Sequence, residues 1–170
     1  KVVVWKVKKG DSSMVSNYPV VPIANFPYGE HGQLSKSELK LMKEKAQMMQ
    51  ILEGISYSGA QGITDNEDRF YTIPSPLPKG RVLTMKDCLP GLFHQIRQMS
   101  KVPPKLFSDA WSFDPKNIPK GSLGAGRSGS LFVHSKNQQF LLKTIPAHEM
   151  RTLLEVAERL RDYLEGHPSS

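Results

Sequence analysis

Gly124-Ala125-Gly126-Arg127-Ser128-Gly129-Ser130-Leu131-Phe132-Val133 sets three glycines at the start of a strand-like run, and Phe140-Leu141-Leu142-Lys143-Thr144 brings a single lysine out of the next one. Leu123–Gly126 and Ser130–Ser135 read as strands joined at the glycines. Gln138–Ile145 reads as a third strand after a turn at Lys136-Asn137, and Pro146 then opens a helix to about Glu165. That helix carries a core stripe of Met150, Leu153, Leu154, Ala157, Leu160 and Leu164. Strand, glycine turn, strand, turn, strand, helix is the order that decides the fold.

Three phosphate-binding patterns overlap at these glycines. Gly121, Gly126, Arg127 and Ser128 nearly fit the Walker A motif, with arginine in place of its lysine. Gly124, Gly126 and Gly129 fit both the dinucleotide fingerprint and the glycine loop of protein kinases. The first two require a helix directly after the glycines, so that its N-terminus meets phosphate. Here Ser130-Leu131-Phe132-Val133 reads as strand, which leaves the hairpin form. Glycines without a Cβ let backbone N–H groups approach phosphate oxygens, and Ser128 adds a hydroxyl donor. Arg127 either pairs with phosphate or faces solvent. Lys143 sits among Phe140, Leu141, Leu142 and Ile145, so its ammonium must meet an anion or reach water. The competing reading is a plain glycine-rich hairpin with a snorkelling lysine.

Upstream, Ser35–Ile55 is expected to be helical. Leu39, Met42, Ala46 and Met49 mark its apolar face, widened by Leu41, Met48 and Leu52. Ser35 with Glu38 forms a capping-box start, and Gly54 lies near the expected stop. Ser56–Asn66 reads as loop, Arg69–Ile73 as a short strand and Pro74–Gly80 as a turn. A second helix is expected from about Asp87, with Pro90 in its first turn and Leu89, Phe93, Ile96 and Met99 inward. Lys101–Lys120, with four prolines, reads as a linker held down by Trp111 and Phe113. Lys1–Lys9 reads as a basic strand, either a lysine-protected sheet edge or a contact for an acidic membrane surface. Gly10–Gln33 reads as irregular.

The bulk properties set bounds. The 170 residues suit one domain with an N-terminal extension, divided at 1–34 and 35–170. The formal net charge of +7 favours an anionic partner, although the positive charge is spread out and does not interleave with aromatics, which argues against nucleic acid. Cys88 is the only cysteine, so an intrachain disulfide is excluded and a reducing, cytoplasmic setting is expected. No apolar run approaches the roughly 20 residues that span a bilayer. The five histidines are scattered without metal spacing and are mostly expected at the surface.

At Gly126-Arg127-Ser128-Gly129-Ser130-Leu131-Phe132 and Phe140-Leu141-Leu142-Lys143-Thr144 the chain resembles the phosphatidylinositol phosphate kinase family. Leu89-Pro90-Gly91-Leu92-Phe93-His94-Gln95-Ile96-Arg97 resembles that family's proline-x-x-phenylalanine helix. The resemblance is clearest from Met85 to His167. It departs at Arg127, where the family has lysine, and at Gln139, where it has arginine.

The resemblance implies an α+β fold, a kinase-like N-lobe with an antiparallel sheet flanked by helices. It implies ATP-dependent phosphorylation of a phosphoinositide lipid at a membrane surface. Gly124, Gly126, Arg127, Ser128 and Gly129 would then bind the nucleotide, Lys143 would contact it, and Glu149 would be the acidic partner of Lys143. The competing role for Glu149 is a first-turn acid favoured by the helix dipole. No catalytic-loop or metal-binding aspartate motif follows, so Mg²⁺ ligands are expected in a C-lobe absent from this sequence. Both ends of the sequence are expected to continue in a longer parent, and the segment alone is expected to be inactive. The alternative is a non-catalytic lobe serving as a membrane-surface or dimerisation module, with a homodimer as the expected assembly.

Overall fold

The computed structural model describes residues 5–9, 18–24, 34–123 and 130–167. Among them the fold is α+β, with four α-helices and two small antiparallel sheets. In chain order these are β1 (Trp5–Lys9), α1 (Lys36–Ala60), β2 (Arg69–Ile73), β3 (Leu83–Asp87), α2 (Pro90–Met99), α3 (Pro104–Trp111), β4 (Ser122–Leu123), β5 (Leu131–His134), β6 (Leu141–Lys143) and α4 (Ala147–Gly166).

The first sheet has the order β1-β3-β2. β1 therefore lies on an edge, in register from Trp5 opposite Asp87 to Lys9 opposite Leu83. On the outer side of β2, the Val21 N–H donates to the Thr72 carbonyl and the Thr72 N–H to the Pro19 carbonyl, each at 2.8 Å. Val21 is buried with Tyr71, Ile73, Leu83 and Met85, so segments from both sides of residue 34 share one sheet and one core.

α1 is the central column. Its start is as expected: the Glu38 N–H donates to Ser35 Oγ, and the Ser35 N–H to Glu38 Oε2 at 2.8 Å. Its end is not, because the helix runs on to Ala60 and absorbs the first residues of the expected loop. Gly54 is a packing residue rather than a stop. A Cβ there would lie 2.6 Å from Ile73 Cδ1 and 3.0 Å from Met85 Sδ, so its absence lets the helix lie close on β2 and β3. The small polar residues that resemble a loop serve the same approach. Ser56 Oγ donates to the Ser108 carbonyl at 3.0 Å, and Ser58 Oγ donates to the buried Asp87 carboxylate. Buried Gln50 donates to the carbonyls of Ile73, Pro74 and Arg81, each at 3.0 Å, and so ties the β2–β3 connection to the helix. Of the predicted apolar face, Ala46, Met49 and Leu52 are buried, whereas Leu39 and Leu41 stand exposed on the first turns.

Two further elements differ from expectation. β3 covers residues expected to lead into a helix at Asp87, and Asp87 is its last residue. Its inward row is Leu83, Met85 and Asp87, so an acid at a buried position breaks the apolar alternation. The expected linker contains α3, whose first helical residue is Pro104, a position that needs no N–H donor. Phe107, Ala110 and Trp111 of α3 pack with Leu52 and Ile55 of α1 and with Val133 and Phe140 of the second sheet. The rings hold the segment down as expected, but as a helix.

α2 begins at Pro90 after Leu89, which adopts φ 50°. Its free N–H groups are taken up from outside: Gly91 donates to the Asp65 carbonyl at 2.8 Å and Leu92 to Asn66 Oδ1 at 2.7 Å. Arg97 on the same helix is buried and lies 4.8 Å from the Phe107 ring centre. Burial pushes its guanidinium below the ordinary value, and the nearby Asp87 charge opposes that shift. His94 is also buried, unlike the other described histidines; desolvation and then the Arg97 charge hold it below the usual imidazole range. α4 lies across α2, with Ala157 buried against Leu92, Phe93 and Ile96, flanked by Met150, Leu153, Leu154 and Leu164. Leu160, expected in that stripe, is exposed. No helix among the described residues is long and apolar enough to cross a membrane.

Gly91 meets backbone atoms of the residues before β2 at close range. A Cβ at Gly91 would lie 2.4 Å from the Thr64 carbonyl oxygen and 2.5 Å from that of Asp65, both backbone atoms. Gly91→Ala is expected to destabilise the fold by about 2 kcal/mol, a melting-temperature loss of roughly 4–8 °C measurable by calorimetry.

Candidate functional site

The second sheet has the order β4-β5-β6, antiparallel throughout. Gly124, Gly126, Arg127, Ser128 and Gly129 lie outside the described residues, in the segment that links β4 to β5. The flanking strands are described, with Ser122 opposite Phe132 and Leu123 opposite Leu131. The glycines are therefore followed by a strand antiparallel to the one before them. A strand–loop–helix arrangement of Walker or dinucleotide type is excluded at this place.

β5 and β6 pair with Phe132 opposite Lys143, Val133 opposite Leu142 and His134 opposite Leu141. Side chains alternate between the faces of a strand, and directly opposed residues share a face. Val133 is buried in the α1–α3 core and Leu142 packs against it. Phe132, His134, Leu141 and Lys143 consequently occupy the opposite face. β6 is shorter than the expected strand because its ladder is closed by hydroxyl side chains at both ends. At one end the Phe140 N–H donates to Ser135 Oγ at 3.0 Å, while the Ser135 N–H donates to the Phe140 carbonyl at 2.9 Å. At the other, the Leu131 N–H donates to Thr144 Oγ1 at 2.8 Å, while the Thr144 N–H donates to the Leu131 carbonyl at 3.0 Å. Gln138, expected to begin the strand, lies in the turn with φ 59°.

The chain leaves the sheet after Lys143 and enters α4 behind Pro146, with Glu149 in the first helical turn. Lys143 Nζ lies 3.6 Å from Glu149 Oε2, and both side chains are about two-fifths exposed (43% and 41%). The lysine thus reaches water and an anion together. Two packing systems set this distance: Lys143 is carried by the sheet on the α1–α3 core, and Glu149 by α4 on α2. A cavity of about 400 Å³, lined by neither Lys143 nor Glu149, opens next to Phe132 and His134 and is walled by Phe113, Asn117 and Lys120. The motif residues gave no signal for this wall, which comes from the segment after α3.

The family comparison identifies this region. Residues 115–170 match the family model described as Phosphatidylinositol-4-phosphate 5-Kinase. The match supports a phosphatidylinositol phosphate kinase family domain over this segment. No curated protein and no solved structure matches the chain. The matched segment takes in β4, β5, β6 and α4, hence Lys143, Glu149 and the glycines. Kinases of this kind use ATP with Mg²⁺ in general. Among the described residues, no three or more His, Cys, Asp or Glu side chains come together to hold a metal ion.

An ion pair this exposed contributes little to folding. Glu149→Gln is expected to change unfolding free energy by less than about 1 kcal/mol in a denaturant titration, so a larger functional effect would be separable from stability.

Proposed function

We propose that this chain forms the ATP-binding N-lobe of a lipid kinase that phosphorylates the inositol ring of a phosphatidylinositol phosphate. The observation that carries the proposal is the Lys143–Glu149 pair beside the glycine-bearing hairpin, within the segment that matches the family. A lysine paired with a carboxylate from the following helix is directed toward one place, as phosphoryl transfer requires of a phosphate contact. Along β5 the order also suits a nucleotide. The glycines precede Leu131, Lys143 stands opposite Phe132, and the cavity lies toward His134. Phosphates would be held at the Lys143 and glycine end by Lys143, Gly124, Gly126, Arg127, Ser128 and Gly129, and the base would lie against Phe132.

In this role Lys143 binds and orients phosphate oxygens, and Glu149 positions Lys143. ATP supplies the transferred phosphoryl group when bound. Mg²⁺ would be held by residues of a C-lobe outside this sequence, so the segment by itself would be inactive. The lipid would be met at the cytosolic face of a membrane, in keeping with the net charge of +7.

The test is a radiolabelled-ATP assay of the full-length protein on mixed phosphoinositide vesicles, beside Lys143→Ala. Lipid labelling that falls by at least about 100-fold in the variant is expected, since the charge that positions phosphate is lost. No labelling by folded native protein would favour a non-catalytic lobe acting in membrane or partner binding. Undiminished labelling by Lys143→Ala would remove Lys143 from the site.

A further inference from the structure

We infer that Thr144 is a positioning residue, whose hydroxyl fixes the start of β5 relative to Lys143; this rests on the nucleotide-binding reading above. Leu131 and Thr144 are opposed at the end of the β5–β6 ladder, and only one of their two bonds is the ordinary backbone one. The Thr144 N–H donates to the Leu131 carbonyl at 3.0 Å. The Leu131 N–H donates to Thr144 Oγ1 at 2.8 Å instead of to a backbone carbonyl.

Two consequences follow from that substitution of partners. The Thr144 carbonyl is released from the ladder, so the backbone can turn out of the sheet at once, and β6 ends at Lys143. Only residues 144–148 separate Lys143 from Glu149, so this early departure is what lets the first turn of α4 return to the lysine. The same hydroxyl also holds the first N–H of β5, directly after the glycine segment and buried Ser130. One side chain therefore ties three parts together: the start of β5, the strand position of Lys143, and the path to Glu149. Valine matches threonine in shape and β-branching but offers no acceptor, and the Leu131 N–H would lose its protein partner. Serine retains the acceptor.

The test is steady-state kinetics of the full-length protein with Thr144→Val, Thr144→Ala and Thr144→Ser, on vesicles of phosphatidylcholine with mixed phosphoinositides. Thr144→Val and Thr144→Ala are expected to raise the KM for ATP roughly three- to tenfold, the scale of one lost hydrogen bond. The KM for lipid should stay unchanged, and Thr144→Ser should behave as the native protein. Exchange of the Leu131 amide should quicken in the valine and alanine variants and not in the serine one. A native KM for ATP in both folded variants, or equal losses for ATP and lipid that serine does not rescue, would overturn the role of Thr144. A Lys143→Met control separates the two claims. If it keeps full activity, the nucleotide-binding reading fails and takes this one with it. If it is inactive while Thr144→Val and Thr144→Ala behave as native, only the role of Thr144 fails.

Discussion

The geometry of the candidate site depends on how the chain leaves β6. Lys143 is the last residue of that strand, and Glu149 lies in the first turn of the helix that follows, so a five-residue connection must reverse direction and still hold a 3.6 Å charge pair. The pair itself contributes little cohesion, because both groups are substantially exposed. What holds it is apolar packing on either side. Val133 and Phe140 fix the sheet to Phe107 and Trp111, and Leu92, Phe93 and Ile96 fix α4 through Ala157. The charge pair is thus carried at the seam between two packed clusters of side chains.

That seam explains the demands made on the rest of the chain. α1 touches both the first sheet and α3, and small residues let it approach closely: Gly54 against Ile73 and Met85, and Ser56 and Ser58 toward Ser108 and Asp87. α3 in turn carries the rings against which the second sheet is laid. Arg97 joins the two sides, since it belongs to α2 beneath α4 yet stacks on Phe107 of α3. A buried guanidinium near the Asp87 carboxylate is a costly group to leave unpaired, and it links the α2–α4 pair to the α1–α3 pair.

Much of this was legible in the sequence wherever a local rule was sufficient. The Ser35–Glu38 box, the Arg69–Ile73 strand, the proline-initiated α2 and the strand–turn–strand–helix order of the last third follow from capping, β-propensity and periodicity. The errors arose where tertiary contact overrides such rules. Gly54 has the composition of a helix stop but the function of a close approach. Leu83–Asp87 places an acid in an inward position, where Ser58 on a distant helix donates to it. Pro103 and Pro104 suggest a linker, although one of them is well placed to start a helix. Lys143 stands out as a lone lysine on an apolar strand and Glu149 as an acid in the first turn of the next helix, and the two lie 3.6 Å apart, whereas the Thr144 bond to Leu131 and the wall formed by Phe113, Asn117 and Lys120 leave no periodic trace.

The most direct measurement of the central claim is amide hydrogen exchange of the full-length protein with and without Mg-ATP, resolved across residues 130–149. The account predicts slower exchange with nucleotide in β5, β6 and the first turn of α4, with β2 and β3 unchanged and the effect lost in Lys143→Ala. Exchange that is unaffected by nucleotide across β5, β6 and α4, or protection that persists without the Lys143 ammonium, would contradict it.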